Sequence, residues 1–160
     1  MKIRVLSVLA FATSAILGVS VQAQDAPSFP PLNNGKSVSN PASHYTFHDT
    51  GARGTDGKTK IEFSDAFGEM TTGQHGSFFM FTPGFISPVH THTYDYYAVV
   101  IKGEMENYEV GVTPIKMGPG SYWYQRAKKA HTTVCLSKVP CEIFIVQNAK
   151  FDAQVPPKEE

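Results

Sequence analysis

Gly84-Phe85-Ile86-Ser87-Pro88-Val89-His90-Thr91-His92-Thr93-Tyr94-Asp95-Tyr96-Tyr97-Ala98-Val99-Val100-Ile101-Lys102-Gly103 carries two signals from which the rest of the chain can be placed. The first is Tyr97 to Ile101, a short aromatic and β-branched run closed by Gly103, which predicts a strand. The second is His90 and His92, two residues apart. Successive side chains of a strand point to opposite faces, so this spacing can present both imidazoles on one face as a pair of metal ligands. A lone His-x-His is more often a solvated or hydrogen-bonded pair, and its surroundings separate the two readings. Here Pro88 precedes the pair, a short irregular piece follows it, and a third histidine, His131, opens another predicted strand after Gly120-Ser121-Tyr122-Trp123-Tyr124.

Working outward, the chain from His44 on reads as short β-like runs broken by turn residues. They are His44 to His48, Lys58 to Phe63 after a Gly51 to Gly57 loop, Ser77 to Thr82 after a Gly73-Gln74-His75-Gly76 turn, Glu104 to Val110, Ser121 to Arg126, Ala130 to Leu136 and Glu142 to Gln147. No useful window sustains a helical period, and strands of this size spaced by Gly and Pro predict an all-β fold, a sandwich or barrel.

The N-terminal residues predict a signal peptide over 1–23. Lys2 and Arg4 precede an apolar run from Val5 to Val21, and Val21-Gln22-Ala23 supplies the small residues of a cleavage site. No basic stop-transfer cluster follows, which favours an exported chain, periplasmic or extracellular, over an uncleaved anchor. Residues 24–43, rich in Pro, Ser and Asn, read as an extended leader, residues 44–152 as one domain and 153–160 as a flexible tail. Cleavage would leave 12 basic residues against 14 acidic ones. With Lys128-Lys129 as its one adjacent basic pair, such a chain has no electrostatic footprint for nucleic acid or, after cleavage, for a membrane.

Two cysteines, Cys135 and Cys141, suit an oxidising compartment. If the strands flanking Leu136 to Pro140 form a hairpin, both lie at its mouth within disulfide reach; the other reading is two buried thiols.

The opening stretch resembles the first motif of the cupin superfamily, which runs Gly, five residues, His-x-His, three or four residues, Glu, six residues, Gly. Gly84, His90, His92 and Gly103 fall in register with it. The second cupin motif ends in a strand-borne histidine after a Pro/Gly turn and a short strand, an order matched by Gly118-Pro119-Gly120 and His131, although Arg126-Ala127-Lys128 replaces the usual Pro-x-Gly. The resemblance spans roughly residues 75 to 150 and is strongest to small secreted cupin-like proteins of unknown function. It implies a single cupin-like β-barrel of jelly-roll type, a metal held by His90, His92 and His131, and a homodimer.

The departure from the pattern falls on Tyr96, which occupies the position of the cupin glutamate. Strand parity gives Tyr96 the face of His90 and His92, whereas Asp95 points away. A neutral phenol is a poor ligand, so Tyr96 is expected to hydrogen-bond beside the ion or act as a weak fourth ligand and catalytic group. A backbone bulge would instead let Asp95 or Glu104 supply a carboxylate. Three neutral imidazoles leave a dication its full charge and open positions, and the metal could be Zn, Fe, Mn or Cu.

The aromatic set Tyr94, Tyr96, Tyr122, Tyr124, Phe79, Phe81 and Trp123 reads either as core packing or as the lining of an apolar pocket. His44, His48 and His75 lie outside the motifs. Two functions follow: a metal-dependent enzyme, dioxygenase- or lyase-like, acting on a small molecule, or a non-catalytic small-molecule binding or sensor module with a degenerate metal site.

Overall fold

The computed structural model describes residues 36–158, and the expected signal peptide and most of the leader lie outside them. Among the described residues the regular elements are eight strands and one 3-10 turn, Ala42–His44, and no helix is long and apolar enough to cross a membrane. The strands are β1 (His48–Arg53), β2 (Lys60–Gly68), β3 (His75–Phe81), β4 (Tyr96–Lys102), β5 (Met105–Glu109), β6 (Tyr122–Gln125), β7 (His131–Cys135) and β8 (Cys141–Gln147). The all-β expectation holds, and seven of the eight strands start within two residues of their predicted positions, β1 being the exception.

Six strands form an antiparallel sheet in the order β1-β2-β3-β8-β4-β6, and β5 pairs with β7 in a second sheet. That second sheet is wider than two strands. The Phe85 to Thr91 segment lies along β7, with bridges Ile86 to Val134 and His90 to His131, and Gln154 bridges Thr91 beyond it. Met117 closes the other side against Met105. β1, β2 and β3 are successive neighbours in the large sheet, and from β3 onward the chain alternates between the two layers, which is the jelly-roll arrangement.

Period-two burial explains why these strands face each other. β8 reads buried and half-buried in strict alternation, and its inward Cys141, Ile143 and Ile145 sit opposite Phe81, Phe79 and Ser77 of β3. Phe79, Phe81, Phe85, Tyr96, Ala98, Val100, Trp123, Ile143 and Ile145 form the continuous core. Burying each large apolar side chain stabilises the fold by about 1.5–3 kcal/mol.

The N-terminal strands differ from expectation. His44 ends the 3-10 turn, and β1 runs through Gly51, which the sequence suggests is a loop. Gly51 adopts a φ of 80° at an irregularity in the β1–β2 register between Asp49 and Arg53, so it is a bulge inside a strand and not the end of one. The aromatic set also divides. Phe79, Phe81, Tyr96 and Trp123 are in the core, whereas Tyr94, Tyr122 and Tyr124 are exposed, the last two beside Tyr97 and Val99 on the outer face of the large sheet.

The cysteines are joined in a disulfide, but the flanking strands are not a hairpin. β7 belongs to the small sheet and β8 to the large one, so Cys135–Cys141 staples the two layers together. Gly103 lies against this staple. Its φ is 84°, and a Cβ there would stand 2.7 Å from the Cys141 Sγ, so the position requires glycine on both counts.

Candidate metal centre

His90 and His131 lie directly opposite each other across the Phe85–Thr91 and β7 pairing, each backbone N–H donating to the other's carbonyl at 3.1 and 3.0 Å. Their rings are 4.2 Å apart between centroids. His92, two residues on, brings its ring within 4.9 Å of His90 and 5.0 Å of His131. All three side chains are buried, and one ligand nitrogen from each lies within 4.8 Å of the others. No other cluster of this kind occurs among the described residues.

The ring orientations are fixed by backbone carbonyls, which can only accept. His90 Nδ1 donates to Pro88 O at 2.9 Å, His131 Nδ1 donates to Lys129 O at 3.0 Å, and His92 Nδ1 donates to Asp152 O. Each ring is therefore the Nδ1–H tautomer with its lone pair on Nε2. The Nε2 atoms of His92 and His131 are buried and have no hydrogen-bond partner. Buried polar atoms without partners are rare, and tautomer selection by an outer carbonyl is how metal-binding histidines are held.

Burial also keeps the rings neutral. Desolvation, joined by the neighbouring histidines, lowers His92 to about 4 and His131 to about 3, and desolvation lowers His90 as well. The lone pairs that a cation would need are thus present through the neutral and mildly acidic range.

Tyr96 opens β4, and its ring stands edge-on to His92 at 5.1 Å. Burial pushes its phenol far above the ordinary value, so the hydroxyl is a neutral donor beside the cluster. Trp123 Nε1 donates to it at 3.5 Å. Neither candidate carboxylate reaches the site. Asp95 accepts from Tyr124 Oη at 2.7 Å and from Ala127 N at 2.6 Å, and Glu104 pairs with Lys116 at the surface. Asp95 instead ties down the Arg126 to Lys129 loop. In that loop Lys128, at a φ of 58°, donates its N–H to His92 O at 2.8 Å, which ties the loop to the histidine pair.

The other histidines are elsewhere. His48 lies on β1 near Phe63, and His75 is buried between Ser77, 2.8 Å from its Nδ1, and Gln147, 3.2 Å from its Nε2.

The residues that sequence reasoning missed are in the segment that follows the last strand. Phe151 packs on His92 at 4.8 Å and on Phe79 at 5.1 Å, and Asp152 holds the His92 ring. The Asp152 carboxylate accepts from Thr93 N at 2.9 Å and Thr93 Oγ1 at 2.5 Å. Desolvation raises this carboxyl, but the Thr93 and Gln154 hydrogen bonds outweigh it and hold the group below the usual carboxylate range. The described part of the expected tail, from Ala153 on, continues this contact through the Gln154–Thr91 bridge. No motif marks these residues; an isolated aromatic followed by a carboxylate is too common to single out.

A cavity of about 490 Å³ opens beside the cluster between the two sheets, lined by His90, His92, Tyr96 and core side chains including Phe79, Phe85 and Trp123. The site is thus set in a two-sheet jelly-roll barrel, with three inward histidines beside a largely apolar cavity.

Residues 77–147 match the family model described as a cupin domain. Among solved structures, the polyketide cyclase RemF from Streptomyces resistomycificus is similar at a TM-score of 0.61 and 14% identity, covering 74% of this chain and 84% of its own. A cupin-2 domain protein from Rhodospirillum rubrum is similar at 0.57 and 14% identity, covering 81% and 84%, and a predicted oxalate decarboxylase from Thermotoga maritima at 0.56 and 13%, covering 70% and 99%. Among proteins of curated function none matches. Residues 77–147 are thus identified as a cupin domain, and the similar structures share its fold.

Proposed function

We propose that this chain is an exported protein that binds one divalent metal ion through His90, His92 and His131 and uses it on a small molecule held in the adjoining cavity. The observation that carries the reading is the pair of buried, partnerless Nε2 atoms on His92 and His131, in rings whose Nδ1 atoms are all committed to carbonyls. Such atoms cost roughly 1–3 kcal/mol each if left unmatched, and a cation matches them. Bound there, a dication would polarise a coordinated oxygen and retain open positions for water or substrate. Imidazole donors suit Zn, Cu and Fe and do not exclude Mn. The inter-sheet disulfide supports export to an oxidising compartment.

The replacement of the cupin carboxylate by neutral Tyr96 favours a second reading, a binding or sensor module that keeps the histidines without turnover. Thermal unfolding of the full mature chain with and without chelator tests both. Stabilisation by Zn, Mn, Fe(II) or Cu(II) that chelator reverses is the expected result for the metal reading. A chain indifferent to all four ions but stabilised by organic metabolites would favour the binder.

A further inference from the structure

The cavity's chemistry is more selective than its size. Its inner wall is apolar: Met70, Phe79, Phe81, Phe85, Ile143 and Ile145 line it from both sheets. The charged side chains that border it are committed elsewhere. Arg53 forks onto Asp49 through two contacts of 2.9 Å, and the Asp152 carboxylate is taken by Thr93. Of the hydroxyls that also border the cavity, Thr50 donates to Ile61 O and Thr133 to Asn107 Oδ1, so a ligand with two separated charges would find no counter-charge along that wall and would lose its hydration.

At the histidine end the situation reverses. The three neutral imidazoles carry no charge of their own, Tyr96 stands where a ligating carboxylate would, and the one carboxylate beside them, Asp152, is spent on the Thr93 donors rather than turned to the cluster. The Tyr96 hydroxyl receives the Trp123 N–H, and no group among the described residues accepts its own proton. It is a buried donor, on the cavity wall and edge-on to His92, with its hydrogen unspent.

From these features, and resting on the metal reading above, we propose that the cavity takes an aromatic or similarly planar apolar monoanion. The ligand turns its single anionic oxygen group to the three-histidine end, where that oxygen accepts a hydrogen bond from Tyr96. The anion supplies the charge that the protein withholds, and the ring fills the space between Phe79, Phe85 and Trp123. Short dianions fit the ion but leave the apolar space empty, and neutral hydrocarbons fill the space but leave the ion and the Tyr96 hydroxyl unmatched.

Calorimetric titration of the full mature chain tests this, with zinc first and then salicylate, oxalate and toluene as probes. We expect salicylate to bind the zinc-loaded protein at least tenfold tighter than oxalate or toluene, and at least tenfold tighter than it binds the metal-free protein. Tyr96→Phe should weaken salicylate by about tenfold, with folding checked by circular dichroism, because a hydrogen bond to a charged acceptor is lost. If zinc does not bind, the metal reading fails and this proposal with it. If zinc binds but oxalate matches salicylate, or Tyr96→Phe leaves salicylate affinity unchanged, the metal reading stands and the ligand assignment is overturned. An unfolded Tyr96→Phe chain leaves the salicylate against oxalate comparison on the wild type to decide.

Discussion

The His92 ring is held by a residue sixty positions further along the chain: its Nδ1 donates to the backbone carbonyl of Asp152, whose carboxylate is in turn fixed by both Thr93 donors. The centre therefore depends on a segment that follows the last strand of the barrel. Asp152→Ala removes the Thr93 anchor but not the carbonyl, so the ring keeps its partner on a looser tether. Affinity for zinc, measured by competition with a chromogenic chelator, should fall about tenfold while the chain stays folded. An unchanged affinity would assign Asp152 a structural role only.

The neutral histidines make a prediction about acid. His92 and His131 have folded values lowered to about 4 and about 3, below the ordinary 6.5. The unfolded chain therefore binds protons first, and the stability that neutral burial provides is complete above pH 6.5. It is lost as pH falls from there toward the folded values, at about 1.4 kcal/mol per pH unit for each histidine. Metal-free protein should show a falling unfolding midpoint below pH 6.5, and bound zinc should displace that fall to lower pH. A midpoint flat from pH 7 to 4.5 would contradict the burial of neutral rings.

Tyr96 can be separated from the ligand set. Because burial keeps its phenol protonated, it should contribute no bond to the ion, and Tyr96→Phe should change zinc affinity by less than about twofold. Replacement by a carboxylate, Tyr96→Glu, should raise zinc affinity by about tenfold or more if the variant folds, since a charge-bearing ligand then faces the cation. A large loss of zinc in Tyr96→Phe would make the phenol a ligand after all.

The disulfide joins two layers across a sequence separation of six. A loop that short closes with little entropy, so reduction should lower unfolding free energy by only about 2 kcal/mol. Chemical denaturation with and without reductant checks the figure. Retention of most zinc affinity after reduction is also expected, since the staple stands at Gly103 and Cys141, apart from the histidines.

These expectations differ in how far the sequence foretold them. The strand-borne pair His90 and His92 and the opening of β7 at His131 were legible because period two and turn residues act locally. Tyr96 was placed correctly by parity even though Thr93 to Asp95 is irregular, since β4 resumes the inward face at Tyr96 itself. The β1 bulge at Gly51 was not legible, because a glycine ends a strand as often as it kinks one. Nor were Asp152 and the Phe151 contact, which exist only once the chain has closed a barrel and returned to His92. The Cys135–Cys141 disulfide was legible but the hairpin offered for it was not the route: a separation of six serves a hairpin and equally a crossing between sheets, and local spacing does not distinguish them.

The most direct measurement of the central claim is the metal content of the chain isolated from its natural source, set beside that of His131→Ala. The account predicts close to one divalent ion per wild-type chain and a loss of most of it in His131→Ala, with the strand signature in circular dichroism retained. A folded wild-type chain that carries no ion, and takes up none on dialysis against zinc, manganese, iron(II) and copper(II), would contradict it.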